Sequence, residues 1–327
     1  VLTNMIMNEN EGECAGAAKP ELTEVKTTLP IKDASGWVNA PSGAKEFTIP
    51  VSNGLERRPV LVLPNADGIF DKIAIYKSKK DTEPIVVLDQ PHTVVNDILD
   101  TVSKGGKKID VARQAILIEI APDGSMVEMY LGNAMEADND MLFHPKSLLT
   151  QIRENVGQFR SVSMMIGDTP KCANDIFAPL WESYSEWQAN CMNYLIEANG
   201  YEVIFSHLHN VDIAGHTFWE LAKYRPHKEA YDEKLYQDVM ERFYVDTDRY
   251  LGRFMHLLDQ GWDIIITSDH GLITEENHTT GLGELRVNGN VMVELGYTVL
   301  KKDADGNPLH EIDLERSRAV AKLGGQV

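Results

Sequence analysis

The sequence predicts an α/β protein: a mostly parallel sheet flanked by helices, preceded by a β-rich antiparallel region. Three observations carry that prediction. Short apolar runs separated by turn signals fill residues 1–135. Longer three-and-four-residue periodicities replace them over residues 136–327. Two late segments then repeat one pattern of helix, glycine, aromatic, acid and apolar run, as expected of helix–strand units in a helix-covered sheet.

The β-rich region opens with strands at Phe47–Val51 and Pro59–Leu63, separated by SNGLERR. Asn65-Ala66-Asp67-Gly68 is a turn signal, and Lys72–Tyr76 alternates with Ile73 and Ile75 on one face. Pro84–Leu88 is a further strand. Ala115–Ile120 and Met126–Leu131 flank Pro122-Asp123-Gly124-Ser125, a hairpin signal. In the second region His144-Pro145 opens a helix running to about Asn155, with proline at the first turn, where its missing N–H does no harm. A helix over about Asp175–Ala198 carries a stripe of Leu180, Trp181, Tyr184, Trp187, Cys191, Tyr194 and Leu195. Another, from about Lys228 to Leu258, buries Leu235, Val239, Phe243, Tyr250, Phe254 and Leu257. These aromatics are read as core. A short helix near Val291–Leu295 leads to a strand at Thr298–Lys301. Asp303–Asn307 is a hairpin turn that lacks the downstream glutamate and spacing of a calcium loop.

Composition limits the partners. The chain has 327 residues, 43% apolar and 25% charged, with a net charge of −19. A field of that sign repels polynucleotides and anionic membranes, and leaves room for a small phosphorylated substrate beside a local cation. No run of 18 apolar residues is present, so no membrane-spanning helix is expected. Cys14, Cys172 and Cys191 are odd in number and widely spaced, and are read as free thiols of a cytoplasmic protein. The oligomeric state has no signature. The chain starts at Val1 without an initiator methionine and stops at Gly324-Gly325-Gln326-Val327, so a piece of a longer product is expected.

The repeated segments hold the chemistry. One helix ends at Gly200, followed by YEVIFS and then HLHNVDIAGH; the other ends at Gly261, followed by WDIIITSDHG. Ligands of parallel sheets bind beyond the carboxyl ends of the strands, and both apolar runs lead into metal-ligand residue types there. A single Asp-x-x-x-His is usually a surface pair or helix cap. Two such sets at matching strand ends instead point to one cleft lined by Asp212, His216, Asp269 and His270. Mixed imidazole and carboxylate ligands suit Zn²⁺, with Mn²⁺ and Fe²⁺ less selective. His207, His209 and Asn210 are candidates for orienting the ligands from outside the first coordination sphere.

NVDIAGH followed by TSDHG resembles the alkaline phosphatase superfamily, and within it the type I phosphodiesterase/nucleotide pyrophosphatase branch, over about Tyr201–Gly271. The resemblance implies an alkaline-phosphatase-like core with the β-rich region as an insert or cap. It assigns one metal to Asp212 and His216 and a second to Asp269 and His270. It further implies hydrolysis of a phosphoric ester by two-metal phosphoryl transfer. One ion would help ionise a Ser/Thr hydroxyl; the other would stabilise the leaving oxygen and later activate water. Monoesterases, sulfatases and metal-dependent phosphomutases share the superfamily, and a non-catalytic metal-binding fragment is the alternative outside it. The family's early aspartate, nucleophile and late histidine have no clear counterpart here. Asp67 sits in a β-turn context, Thr3 and Ser42 have no supporting motif, and His278 and His310 lack the family's setting.

Overall fold

The structure is a computed structural model that describes residues 29–51, 56–132, 134–160, 173–215, 233–268, 270–271 and 291–320. The chain forms two compact units, 1–262 and 263–327, each taken by itself below.

In the first unit, β1 (Lys32–Asp33), β2 (Lys45–Val51), β3 (Glu56–Pro64), β4 (Phe70–Ile75) and β5 (Val86–Leu88) form one sheet in chain order. All its pairings are antiparallel, with Phe47 opposite Val60 and Val60 opposite Ile75. A second antiparallel sheet joins β6 (Val94–Lys104), β7 (Lys107–Ile120) and β8 (Val127–Leu131), and β9 (Met135–Glu136) also pairs with β7. Gly105 and Gly106, at φ 54° and 78°, form the two-residue link between β6 and β7. Two successive positive φ angles match the twist of a tight hairpin, and glycine adopts them without steric cost.

β7 is the hinge of the architecture because it is buried on both faces. Ala115 and Leu117 join Phe47, Ile49, Val60, Val62, Ile73 and Ile75 in the core between the two sheets. Ile116 and Ile118 face the other way, into a core with Phe177, Leu180, Trp181, Val239 and Phe243. A strand covered on both sides reads as a continuous apolar run, and AILI is that run.

The helices supply the third layer. These are α1 (Leu148–Asn155), α2 (Ala178–Asn199, preceded by one π turn at Ala173–Phe177) and α3 (Glu233–Gly252, followed by a 3₁₀ segment at Met255–Gln260). The expected α2 stripe is buried at Leu180, Trp181, Trp187 and Cys191. Both glycine stops are present, with Gly200 and Gly261 left-handed at φ 64° and 87°. α1 starts later than expected, so Pro145 precedes the helix and does not occupy its first position. Residues 228–232 of the third expected helix lie outside the described residues. Among the described residues no helix is long and apolar enough to cross a membrane.

In the second unit residues 291–294 are helical, and β10 (Leu300–Lys302) pairs antiparallel with β11 (Pro308–Ile312). The Asp303 carboxylate accepts the N–H groups of Asp305 and Asn307 at 3.0 and 2.8 Å, closing the expected hairpin turn.

The expected parallel sheet is corrected. Every sheet among the described residues is antiparallel, and parallel pairing is confined to an isolated Pro91–Leu117 bridge. Residues 203–206 and 262–268 join no described ladder; Val203 and Phe205 are 85% and 89% exposed, and Ile265 87%. The physical reason lies in what an apolar run specifies. It states what a segment can bury but names no neighbour to accept its backbone hydrogen bonds.

Candidate functional site

The histidine-bearing segment after Gly200 is held in place by a buried polar network. Helical residues 210–215 begin at Asn210, with the Ile213 N–H donating to the His209 carbonyl at 3.1 Å. Asn210 is almost fully buried, and such an amide must satisfy its hydrogen bonds internally. Its Nδ2 donates to Asp246 at 2.8 Å and to the Thr247 hydroxyl at 3.1 Å, while its Oδ1 accepts the Val211 N–H at 2.8 Å. The same Asp246 oxygen accepts the Ser185 hydroxyl at 2.7 Å. One carboxylate on α3 therefore joins α2 to the start of the helix that carries Asp212.

Further bonds fix the approach to that helix. Gln188 on α2 donates to the His207 carbonyl at 3.0 Å, and the Ser206 hydroxyl bonds the Tyr250 hydroxyl. Burial pushes the Asp246 carboxyl above its ordinary pKa, against the lowering pull of Ser185 and Asn210. Burial also raises the Tyr250 phenol, partly offset by its bond to Ser206. Both groups sit where the charged form is disfavoured, which suits holding a loop in place better than proton transfer.

On this platform His209 Nε2 lies 2.6 Å from Asp212 Oδ2, and the rings of His207 and His209 are 4.8 Å apart. Asp212 and His209 remain partly accessible, so a nitrogen and oxygen donor set meets solvent at the start of a helix. An imidazole nitrogen this close to a carboxylate can help to set its orientation as a ligand. His209 and Asp212 offer one nitrogen and one oxygen donor, the types that suit a borderline divalent ion.

The other expected ligands stand differently. His216 and Asp269 lie outside the described residues. His270 belongs to the second unit, where the Ser268 hydroxyl donates to its carbonyl at 2.7 Å and its Nδ1 lies 3.1 Å from the Gly271 carbonyl. Among the described residues no group of three or more His, Cys, Asp or Glu side chains is close enough to hold an ion. Asp67 occupies the β3–β4 turn, where its N–H donates to Asn65 Oδ1 at 2.9 Å, as the β-turn reading expects. Ser42 is in the exposed turn before β2, and His310 is on β11; Thr3 and His278 lie outside the described residues. Cys191 is a free buried thiol whose pKa burial pushes up to about 12, so it is protonated and inert at neutral pH.

Sequence reasoning named Asn210 and read Tyr250 only as core, and it missed Asp246, Ser185 and Thr247. A signal was present in part. Asp246 lies three residues beyond Phe243 and four before Tyr250, on the apolar face of α3, where an acid calls for a buried partner.

The comparisons with known proteins bear on the same stretch. The family model described as type I phosphodiesterase / nucleotide pyrophosphatase matches residues 141–324. That range begins just after β9 and includes both NVDIAGH and TSDHG. No curated protein and no solved structure matches the chain.

Proposed function

Because the chain belongs to the type I phosphodiesterase/nucleotide pyrophosphatase family, within the alkaline phosphatase superfamily, we propose that it is a metal-dependent hydrolase of small phosphoric diesters or pyrophosphates. The observation that supports a working site is the placement of Asp212. Its carboxylate is oriented by His209 and stands on a helix start anchored through Asn210 to Asp246.

In this reading Asp212 and His216 hold one divalent ion and Asp269 and His270 the other, with zinc favoured over manganese by the mixed nitrogen and oxygen donors. Such ions supply charge for phosphoryl oxygens and lower the pKa of a bound hydroxyl or water. The chain's own part is to orient. His209 fixes the Asp212 oxygen that faces it, and His207 stacks beside His209. The Asn210–Asp246–Ser185 network prevents the segment from rotating away. Local cations also let a protein of net charge −19 accept an anionic substrate, since the distant surface field is screened within about 8–10 Å.

The test is turnover of a bis-aryl phosphate against a mono-aryl phosphate, with an aryl sulfate as control. Preferential hydrolysis of the diester is expected; exclusive cleavage of the monoester or the sulfate would reassign the reaction within the superfamily. Asp269→Asn and His216→Ala should each reduce diester turnover to near background while circular dichroism stays unchanged. His207→Ala should have a smaller effect.

A further inference from the structure

Asp246 on α3 is only 4% exposed, yet the donors its carboxylate meets are neutral. The Ser185 hydroxyl of α2 and the Asn210 amide both reach Oδ2, at 2.7 and 2.8 Å. Among the described residues no cation lies within ion-pairing distance of it. Glu182 on α2 opposes its ionisation across the helix pair, and Arg249 on α3 favours it. Arg242 also feels its charge, but that guanidinium is spent on Glu182 at 2.6 and 2.9 Å and on the Asn174 carbonyl at 3.0 Å. On the histidine segment His209 and Asp212 pair with each other, and His207 is exposed. A buried carboxylate without a cation is costly to ionise.

Three elements meet at Asp246, and they are unequally held. α2 and α3 are locked together through Leu180, Trp181, Val239 and Phe243. The histidine segment is secured at its far end, where Ile213 and Ala214 are buried. Its start is not. Residues 203–206 join no described ladder, and Val203 and Phe205 are exposed. Side chains hold that start instead: Gln188 on the His207 carbonyl, Ser206 on Tyr250, and Asn210 on Asp246. A stretch with few buried apolar contacts and no ladder opens at the least cost. Opening there admits water to Asp246.

We propose that Asp246 is a proton-operated latch: neutral, it keeps Asn210 and the start of the Asp212 helix closed, and on losing its proton to solvent it releases them. The sign follows from burial. With the segment closed, burial holds the carboxyl above its ordinary value, against the smaller pull of Ser185 and Asn210. With the segment open, the carboxylate is hydrated and returns toward that value. The closed form therefore binds the proton more tightly, and opening grows as pH rises through the closed-state pKa. The latch needs no metal; its consequence for catalysis rests on the proposed role of Asp212, which loses its fixed position as the segment opens.

Amide hydrogen exchange on the full chain, treated with a chelator, reads the latch without substrate. The reporters are Val211 and Ile213, whose N–H groups bond Asn210 Oδ1 and the His209 carbonyl. Their protection, corrected for intrinsic rate, should fall about threefold or more between about pH 4 and about pH 8. Asp246→Asn keeps an oxygen for Ser185 and Asn210 but has no proton to lose, so its protection should stay level. Ser185→Ala removes a bond that favours the charged form and should move the fall to higher pH, which simple loosening does not do. If Asp246→Asn does not fold, Ser185→Ala decides alone, and an unmoved fall overturns the latch. Level protection in the wild type would overturn it too. So would an equal fall in Asp246→Asn, which would assign the effect to His207 or His209. A repeat with Zn²⁺ separates the two readings. Protection restored at the upper pH supports a latch acting on the metal site; a fall that Zn²⁺ leaves untouched supports the latch and contradicts a metal on Asp212.

Discussion

At Asn210 one amide couples the histidine segment to two helices, because its Nδ2 reaches both Asp246 and Thr247. Asn210→Ala removes a donor from a buried carboxylate and leaves Asp246 with Ser185 alone. It should cost about 1–3 kcal/mol in a urea melt and lower diester turnover together with stability. Asp246 gives the test a sign. Burial holds its folded pKa above the unfolded value, so the folded state binds the extra proton and stability falls as pH rises through the folded pKa. Asp246→Asn should flatten that decline, and an unchanged pH profile would place the charge elsewhere. His209→Ala removes the imidazole beside the Asp212 carboxylate and should weaken metal affinity about 10–100-fold, read by competition with a chelator.

Among the elements, β7 has the most demanding position, with Leu117 in the core between the sheets and Ile116 in the core against the helices. Ile116→Ala and Leu117→Ala should each cost about 2–5 kcal/mol, because each opens a cavity in a different interface. A negligible cost for one of them would mean that its face is not packed. The elements also show what the sequence could and could not specify. The hairpin strands, the α2 stripe and both glycine stops were legible, since each rests on local periodicity or on a backbone conformation that glycine favours. β6 was not, because Asn96, Asp97 and Asp100 interrupt its alternation and the bulge shifts its register. The segments 203–206 and 264–268 were misread as buried parallel strands. Their apolar composition was visible, but pairing depends on distant neighbours that local pattern does not encode. The ligand types around Asp212 were legible in NVDIAGH. The Asp246 anchor was hidden because a single acid on an otherwise apolar helix face looks the same locally whether it bonds a distant amide or reaches solvent.

For the whole molecule, acid stability rests on two carboxylates, Glu46 within the first sheet and its loops and Glu56 between the two sheets. Burial pushes Glu46 up, but Lys79, Trp37, Ser35 and Lys32 together outweigh it and hold the carboxyl at about 2. Glu56 is held at about 2 chiefly by Ser103, with burial opposing and Lys108 and Arg58 adding to it. A depressed folded pKa contributes stability that is complete above the unfolded value of 4.5 and lost as pH falls toward 2. Unfolding should therefore steepen in that window. Glu46→Gln, which removes a charge at a nearly buried site, should abolish on the order of 3 kcal/mol of the pH-dependent stability, followed by Trp37 fluorescence. Function at this scale depends on whether the Asp212 and His270 segments serve one bimetallic site. The most direct measurement is the metal content of the purified chain after loading with Zn²⁺ and removal of free ion. Two equivalents per chain, reduced to about one by Asp212→Asn and likewise by Asp269→Asn, is the predicted result. Less than one equivalent in the wild type, or two equivalents retained in both variants, would contradict it.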